Sequence, residues 1–208
     1  MKHLAILGAS GHGKVVAEIA ELNGWKVSFF DDAHPNLTQI EHWSVEGTTQ
    51  DLIDSVSVFQ GCFIAIGNNA IRITKQVELS ALGFHFPVLI HPAAIVSRLA
   101  KLEAGTVVMA GAVINPFAKI GQACIINTAS TIDHDCVLAD GVHVSPGANL
   151  AGAVEVGHCS WVGIGSKVKQ CIKIGHHVVV GAGAAVVSDI SDHQIVVGVP
   201  AKPKTSKC

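Results

Sequence analysis

The sequence contains few charged residues and no basic stripe. Asp, Glu, Lys and Arg together make up 14% of the 208 residues, and the formal net charge at pH 7 is -2. A protein that binds nucleic acid through its phosphodiester backbone needs a basic patch on its surface. The composition therefore excludes nucleic acid as an expected partner.

Long hydrophobic runs are also missing, although the composition is apolar. Hydrophobic residues make up 49% of the chain, and the mean hydropathy is +0.45. The apolar runs have the length of a strand and are interrupted by glycine, whereas a membrane-spanning helix needs about 20 apolar residues. We therefore expect no membrane-spanning segment and no membrane partner.

The cysteines lack paired spacing such as Cys-x-x-Cys, which is typical of metal and redox sites. Several occupy repeat positions where a small apolar residue is needed. Met1-Lys2-His3 leads directly into a predicted strand, so we expect no signal peptide. These features predict a reduced, cytoplasmic protein with no bound metal. The cysteines are Cys62, Cys124, Cys136, Cys159, Cys171 and Cys208.

The longer part of the chain has an aliphatic residue at every sixth position from Ile90 to Val186. The residue four places later is usually small or β-branched, and glycine often follows the aliphatic residue. Helices repeat their apolar positions every three or four residues, so a period of six indicates short strands and tight turns in a solenoid. The aliphatic positions are Ile90, Val96, Leu102, Val108, Ile114, Ile120, Ile126, Ile132, Leu138, Val144, Leu150, Val156, Val162, Val168, Ile174, Val180 and Val186.

The repeat predicts a triangular solenoid whose interior aliphatic residues stack from coil to coil. Adjacent coils are expected about 4.8 Å apart, which is the usual spacing between strands. Three hexads close one coil, so the seventeen hexads predict between five and six coils. An antiparallel β-sandwich would instead show period-two alternation with irregularly spaced turns.

Residues 1–86 carry a different pattern, in which predicted strands alternate with predicted helices. This alternation predicts a parallel, Rossmann-like half-sheet. We expect an α/β domain at 1–86 and a β-helix domain with a C-terminal tail at 87–208, with the boundary near Phe86-Pro87. Residues 33–46 contain no recognisable substrate-specificity motif and are expected to form a loop. Strands are predicted at 2–7, 26–30 and 62–66, and helices at 14–23, 49–55 and 71–82.

A glycine-rich loop, Gly8-Ala-Ser-Gly-His-Gly13, joins the first strand to the first helix. It is not a P-loop, because Val15 stands where a Mg²⁺-binding Ser or Thr is required, and its glycine order departs from the dinucleotide fingerprint. Small residues at a helix N-terminus still let backbone N–H groups approach a diphosphate. Asp31 and Asp32, at the end of the second strand, are predicted to accept hydrogen bonds from ribose hydroxyls or a base N–H.

Residues 88–203 resemble the β-helix of the hexapeptide-repeat acyltransferases. The whole chain resembles one group within them, the nucleotide-4-amino-sugar N-acetyltransferases, and its pattern is nearest to those of bacillosamine synthesis. The resemblance implies a left-handed β-helix, a homotrimer with active sites between subunits, and no tightly bound cofactor. It implies transfer of acetyl from acetyl-CoA, the co-substrate, to the 4-amino group of a UDP-linked 4-amino-4,6-dideoxy sugar for surface glycan or glycoprotein synthesis. It is carried by Gly8–Gly13, Phe30–Asp32, Ile64–Asn69, Asn127-Thr128, Ile132–Val137, His143–Ser145 and Gly198–Lys202.

Acetyl transfer to an amine needs a general base, and the position of His134 favours this residue for the role. Imidazole, with an ordinary pKa near 6.5, suits this role at neutral pH. His134 lies two places after the interior residue Ile132, at a turn on the outer surface. The resemblance implies that His134 is the general base and that Asp135, where the family relative has Glu, enhances its basicity. Asp133 is the alternative carboxylate.

The resemblance also implies the residues that bind the two substrates. On the nucleotide-sugar side, Arg72 is expected to act by its charge. On the acetyl-CoA side, Ala182 replaces a glycine of the family. The predicted sugar-nucleotide residues are Ser10, Gly11, His12, Asp31, Asp32, Gly67, Arg72 and Asn127. The predicted acetyl-CoA residues are His143, Gly152, Ile164 and Ala182.

Three other interpretations stay open. The sialic-acid O-acetyltransferases share the two-domain layout, and the same histidine would then act on a hydroxyl group. The γ-class carbonic anhydrases use the same β-helix and hold zinc with three histidines, but an added nucleotide domain has no purpose there. A non-catalytic scaffold would bind a nucleotide sugar without binding acetyl-CoA.

Overall fold

The computed structural model describes residues 2–204, which form two compact units. The first unit ends at Pro92 and the second begins at Ala93, slightly beyond the boundary expected from the sequence. Ile90, the first residue of the hexad series, therefore belongs to the first unit. Its carbonyl oxygen accepts a hydrogen bond of 2.9 Å from Asn23 Nδ2, at the end of the first helix, which accounts for this assignment.

The first unit is a Rossmann-like half-sheet with helices, as predicted. Its elements are β1 Lys2–Leu7, α1 Gly11–Leu22, β2 Trp25–Phe30, β3 Gln39–Ile40, β4 Trp43–Gly47, α2 Thr49–Asp54, β5 Gly61–Ile64, α3 Asn69–Ala81 and β6 Leu89–Ile90. The strand order of the sheet is β3-β4-β2-β1-β5, with β3 antiparallel to β4 and the other pairs parallel. The longest helix has 13 residues, and no helix within 2–204 combines the length and apolarity needed to cross a bilayer.

Two parts of this unit differ from the sequence-based expectation. The first helix begins at Gly11 rather than Lys14, and Lys14 N–H donates to the Ser10 carbonyl at 3.1 Å. Glycine is a poor helix former, so its presence hid this first turn. Residues 33–46, expected to form a loop, contain the short edge strand β3 and most of β4. Val45 and Gly47 of β4 are buried, but the strand is too short to give a clear pattern.

The start of α1 packs closely against the sheet at Gly13. A Cβ atom there would lie 2.4 Å from the Gly8 carbonyl oxygen and 2.9 Å from Phe29 Cε1. A Cβ atom at Gly11 would meet nothing within 4 Å. The same helical turn is therefore tightly packed on one side and open on the other.

The second unit is a parallel β-helix of hexapeptide repeats, as predicted, in which each strand pairs with the strand one coil further along. Its first sheet contains β7 Ile95–Val96, β10 Val113–Ile114, β13 Thr131–Ile132, β16 Asn149–Leu150, β19 Lys167–Val168 and β22 Ala185–Val186. Its second contains β8 Lys101–Leu102, β11 Lys119–Ile120, β14 Val137–Leu138, β17 Glu155–Val156 and β20 Lys173–Ile174. Its third contains β9 Val107–Val108, β12 Ile125–Ile126, β15 His143–Val144, β18 Trp161–Val162, β21 Val179–Val180, β23 Ile195–Val197 and the antiparallel β24 Lys202–Pro203.

Two positions of each hexad fill the core of the β-helix. Ile126 and Ile132 represent the aliphatic position and are fully buried. Ser130 and Cys136 represent the position four places after an aliphatic residue, and they are also fully buried. Ser130 Oγ donates to the Asn127 carbonyl at 2.7 Å, so its burial leaves no hydroxyl unpaired. Burying one aliphatic side chain contributes roughly 1.5–3 kcal/mol, and the stack repeats this in every coil.

The corners turn at a third hexad position, which the sequence pattern did not reveal. From Gly105 to Gly183, every sixth residue has a positive φ angle. This left-handed region favours glycine and tolerates Asp and Asn, and Asp135 occupies it with φ of 59°. The repeat therefore determines the backbone conformation of a predicted catalytic residue.

The cysteine side chains are free thiols in the described part of the chain. Cys62, Cys124, Cys136 and Cys159 are buried and Cys171 is exposed, whereas Cys208 lies outside the described residues. Burial raises the pKa of the Cys62 thiol to about 12. Within residues 2–204, no three His, Cys, Asp or Glu side chains are grouped as ligands for a metal ion.

Replacing Gly13 with alanine should destabilise the α/β unit, because the new methyl group would overlap the Gly8 carbonyl and the Phe29 ring. Overpacking of this kind typically costs about 1–3 kcal/mol. Gly11→Ala is the matched control, since alanine there meets open space and has the higher helix propensity. Thermal unfolding followed by circular dichroism measures the difference. Equal melting temperatures for Gly13→Ala and the parent protein would contradict this packing.

Candidate active site

His134 and Asp135 form an exposed pair at the corner that follows β13. His134 Nδ1 lies 2.7 Å from Asp135 Oδ2, and the two side chains are 59% and 58% exposed. A carboxylate only accepts hydrogen bonds, so Nδ1 carries the proton of the neutral ring and Nε2 keeps its lone pair. The pair therefore presents an unprotonated nitrogen that can accept a proton.

The neighbouring carboxylates raise the pKa of His134 above its ordinary value. The largest cause is the hydrogen bond that the His134 ring donates to Asp135, followed by the negative charge of Asp133. Both side chains of the His134–Asp135 pair are in solvent, which screens these charges. The imidazolium form is stabilised, and the neutral ring is a correspondingly stronger base.

Asp133 contacts the backbone of His134 rather than its ring. Its Oδ1 atom accepts a hydrogen bond of 2.8 Å from His134 N–H and one of 2.7 Å from Asn115 Nδ2. These bonds lower the pKa of Asp133, with the Asn115 bond as the larger cause. The geometry supports Asp135, and not the alternative Asp133, as the partner of the imidazole.

Gly152 lies beneath the His134 ring, one coil further along the first sheet. A Cβ atom at Gly152 would lie 2.6 Å from both Cε1 and Nε2 of His134. We predicted Gly152 as an acetyl-CoA residue, and its contact with the predicted base was not expected from the sequence. Only a residue without a side chain leaves room for the ring in this position.

An apolar groove of about 370 Å³ lies along the third sheet and the corner that follows it. Three of the four residues predicted to bind acetyl-CoA line it, namely His143, Ile164 and Ala182. Trp161 is 43% exposed and Ile164 56% exposed, so the apolar wall is open to a ligand. The remaining lining residues are Ser145, Pro146, Gly163, Val179, Val180 and Gly181. A groove of this size and polarity suits the slender, mostly apolar arm of a coenzyme.

His143 is fixed in this groove by its neighbours. Its ring stacks on Trp161, with ring centroids 5.1 Å apart and planes inclined by 17°. Asn127 Nδ2 lies 3.1 Å from His143 Nε2, and Trp161 Nε1 donates to Ser145 Oγ at 2.5 Å. Asn127, predicted for the sugar, is thus joined to a residue predicted for acetyl-CoA. Trp161 was not predicted from the sequence, although an aromatic residue at an outward hexad position was the available signal.

The two clusters of the β-helix occupy different corners of the coil. Asn127 follows β12, and the groove residues lie in or directly after β15, β18 and β21, all in the third sheet. His134 and Asp135 follow β13, in the first sheet. One chain therefore places the predicted histidine base and the groove at separate corners.

In the α/β unit, the glycine loop presents backbone donors at the N-terminus of α1. Ser10 is the N-cap residue, and its side chain makes no capping hydrogen bond. The first N–H groups of a helix have no partner within the helix, so they are available to an anion. The Cβ positions of Gly11 and Gly67 would meet no atom within 4 Å. The loop is open where we predicted the diphosphate.

Asp31 and Asp32 hold the surrounding backbone. Asp31 accepts from Ala9 N–H at 2.8 Å and from Ala33 N–H at 2.9 Å through separate oxygens. Asp32 Oδ1 accepts from Thr49 N–H at 2.8 Å, and its side chain is more exposed. A carboxylate oxygen can accept two hydrogen bonds, so both residues keep capacity for a ligand. Asp31 is also a loop-orienting residue, which the sequence did not reveal.

Arg72 is fully buried, at 1% exposure, so its guanidinium serves the protein interior. It donates to the carbonyls of Ile66 and Gly67 at 3.0 and 3.2 Å and to Asn69 Oδ1 at 2.9 Å. These bonds hold the loop that carries Gly67. The predicted action of Arg72 by its charge is therefore confined to this loop and to neighbouring groups.

His12 is kept neutral by its surroundings. Burial, and secondarily the charge of Arg72, lower its pKa to about 4. Its Nε2 atom is out of solvent and has no hydrogen-bond partner among the described residues. At neutral pH His12 is thus an uncharged side chain with one unused ring nitrogen.

The chain has the architecture of the hexapeptide-repeat acyltransferases, an α/β domain followed in sequence by a left-handed β-helix. Residues 3–79 match the PglD N-terminal domain. The UDP-N-acetylbacillosamine N-acetyltransferase of Bacillus subtilis (strain 168) is 40% identical over 117 residues, which cover 53% of this chain and 52% of that protein. The chain spans about half the length of the curated relatives it matches.

The solved structures extend the similarity to nearly the whole chain. The acetyltransferase domain of PglB from Neisseria gonorrhoeae FA1090, in complex with acetyl coenzyme A, is 44% identical with a TM-score of 0.94, covering 98% of this chain and 99% of that one. PerB from Caulobacter crescentus, in complex with CoA and GDP-perosamine, is 36% identical with a TM-score of 0.94, covering 99% and 98%. The chain belongs to this family of nucleotide-amino-sugar N-acetyltransferases.

The titration of His134 should show which carboxylate is its partner. We expect the pKa of His134 in the parent protein to lie above its ordinary value near 6.5. The Asp135→Asn substitution should lower this pKa most, because the imidazolium then loses its hydrogen-bonded carboxylate. Asp133→Asn should lower it less, since Asp133 acts only through its charge. Nitrogen-15 NMR of the imidazole, assigned with a His134→Gln variant, measures both. A larger change in Asp133→Asn than in Asp135→Asn would reverse the assignment.

Proposed function

We propose that this protein transfers the acetyl group of acetyl-CoA to the 4-amino group of a UDP-linked 4-amino-4,6-dideoxy sugar. The observation that carries the proposal is the His134–Asp135 pair at an exposed corner of the β-helix. Relatives named as N-acetyltransferases of UDP-N-acetylbacillosamine and GDP-perosamine support the substrate class. The product serves surface glycan or glycoprotein synthesis.

In the proposed reaction His134 is the general base. The sugar amine attacks the thioester carbonyl carbon, which forms the C–N bond and a tetrahedral intermediate. His134 Nε2 takes the proton that the nitrogen loses, and Asp135 stabilises the imidazolium. The C–S bond then breaks, and the imidazolium returns the proton to the departing CoA sulfur. A base of this kind typically contributes about 10²–10⁴ in rate.

We place the pantetheine arm of acetyl-CoA in the groove of the third sheet. The apolar side chains of Trp161 and Ile164 suit its methylene groups, while His143 supplies a polar atom beside them. The PglB and PerB structures contain acetyl-CoA or CoA, which supports a coenzyme site in this fold. Gly152 lies against the predicted base, so the thioester is expected near it.

The nucleotide sugar is assigned to the glycine loop of the α/β unit. The backbone N–H groups at Ser10–His12 and the helix terminus suit the diphosphate, and His12 offers a neutral ring nitrogen. Asp32, with the more exposed carboxylate, is the acceptor for a ribose hydroxyl or base N–H. Gly67, on its open loop, completes the site.

We propose a cytoplasmic homotrimer with active sites between subunits. The separate corners for His134 and the groove support this, because a second copy brings a groove to each base. Light scattering measures the oligomeric state directly. The free thiols of the described residues fit a reducing compartment.

Replacing His134 with alanine should lower turnover by about 10²–10⁴, with little change in the Michaelis constants, because the lost interaction forms mainly in the transition state. His176→Ala is the control, since His176 is an exposed histidine of the same β-helix without a proposed role. Acetyl-CoA consumption with a UDP-4-amino sugar measures the effect. Nearly full turnover in His134→Ala would refute the proposed base. Acetylation of a sugar hydroxyl instead of the amine would favour the O-acetyltransferase interpretation.

Each ligand should raise the melting temperature separately, because binding to the folded state stabilises it. Asp32→Asn should reduce the shift caused by the UDP-sugar and leave the shift caused by acetyl-CoA unchanged. Ile164→Glu, in the groove, should have the opposite selectivity, since a charge there meets the apolar arm. A UDP-sugar shift without any acetyl-CoA shift would indicate a non-catalytic scaffold.

A further inference from the structure

We propose that Asn115 is a positioning residue for the histidine base, acting through Asp133. The proposal rests on the proposed function of His134 and adds a residue for which neither the sequence motifs nor the resemblance implied a role. Asn115 follows β10 and Asp133 follows β13, so the two residues occupy the same corner in successive coils. Asn115 touches no reacting atom, and its influence passes through one carboxylate.

The contacts form a chain from Asn115 to the base. Asn115 Nδ2 donates to Asp133 Oδ1 at 2.7 Å, and the same oxygen accepts from His134 N–H at 2.8 Å. Asp133 is thereby bonded on the backbone side of His134. The ring of His134 is left to Asp135, whose Oδ2 atom lies 2.7 Å from Nδ1.

The backbone around His134 is fixed by the neighbouring coils. The His134 carbonyl accepts from Ala153 N–H at 2.9 Å, and Asp135 N–H donates to the Pro116 carbonyl at 3.3 Å. These bonds do not choose between the two carboxylates that flank the ring. The Asn115–Asp133 bond does, because it directs the Asp133 carboxylate away from Nδ1 and towards the chain.

This choice matters for catalysis because two carboxylates compete for one imidazole. An Asp133 side chain released from Asn115 could bond the His134 ring, which would rotate the ring from its Asp135 partner and over-stabilise the imidazolium. Small displacements of a catalytic group are costly, since about 1 Å can reduce the rate by about 10²-fold. Asn115 therefore keeps Asp133 on the backbone N–H of His134 and leaves the His134 ring to Asp135.

Loss of the Asn115 amide should lower turnover and move the pH profile to higher pH. In Asn115→Ala we expect kcat to fall by roughly 10-fold or more, with both Michaelis constants unchanged. The ionisation that activates the enzyme should shift upwards, because a free carboxylate approaches the imidazolium. Asn115→Asp, which keeps the size but removes the donor, should act in the same direction.

Asp133→Asn should have the opposite effect on the pH profile. An asparagine oxygen can still accept from both Asn115 and His134 N–H, so the geometry is preserved while the charge is lost. We expect the activating ionisation at lower pH, because the negative charge of Asp133 no longer stabilises the imidazolium. Opposite shifts of the pH profile in Asn115→Ala and Asp133→Asn distinguish a positioning role from a general loss of structure.

The matched control is Asn149→Ala. Asn149 Nδ2 donates to Thr131 Oγ1 at 2.8 Å, one coil apart on the same sheet, and Asn149 Oδ1 accepts from Lys167 Nζ, so neither bond involves His134, Asp133 or Asp135. It should leave turnover and the pH profile unchanged, with a change in melting temperature similar to that of Asn115→Ala.

Measurements of kcat and of the pH–rate profile for these variants, and for His134→Ala in parallel, test the proposal. Upward and downward shifts in Asn115→Ala and Asp133→Asn, together with an unchanged Asn149→Ala, support it. An Asn115→Ala and an Asn115→Asp enzyme that both match Asn149→Ala would overturn it. An active His134→Ala enzyme would instead overturn the proposed function, whatever the Asn115 variants show.

Discussion

The stacking of each residue on its equivalent in the next coil is the constraint on which the β-helix depends. Three hexads close a coil, so a buried aliphatic residue always contacts another, and a corner residue always faces a corner residue of the next coil. The polar contacts follow the same rule: Asn115 bonds Asp133, and Asn149 bonds Thr131. The core supplies most of the stability through burial, while the corners, which contribute little to it, are free to carry chemistry.

The proposed base is built with very few side chains. His134 is oriented by the left-handed corner at Asp135, by Gly152 beneath its ring and by the Asp133 carboxylate that bonds its backbone N–H. The pair is exposed in one chain, where solvent screens its charges. Covering by a second copy would exclude water and strengthen every electrostatic interaction at the site. In the proposed homotrimer, the groove of one copy would meet the histidine of another, and solvent would be removed from both.

In the α/β unit, the charged side chains of Arg72 and Asp31 support the loops of the predicted site. Arg72 is buried beneath the segment that carries Gly67, and Asp31 holds Ala9 in the glycine loop. The open positions belong to small residues and backbone N–H groups. A diphosphate is well recognised in this manner, because the donors are fixed before binding and lose little conformational entropy.

The sequence by itself determined the architecture of the protein. The period of six specifies strand, turn and core positions because each hexad must bury its aliphatic residue, and strands alternating with helices specify the half-sheet. The family motifs predicted the His134–Asp135 pair because its two residues are adjacent in the sequence and lie within one corner of the coil. Tertiary structure alone decided what depends on residues distant in the chain. It brought Gly152 under the His134 ring and Asn115 to Asp133, stacked Trp161 on His143, and buried Arg72. Such contacts follow from the register between coils and from packing in three dimensions, which a local pattern of residues does not encode.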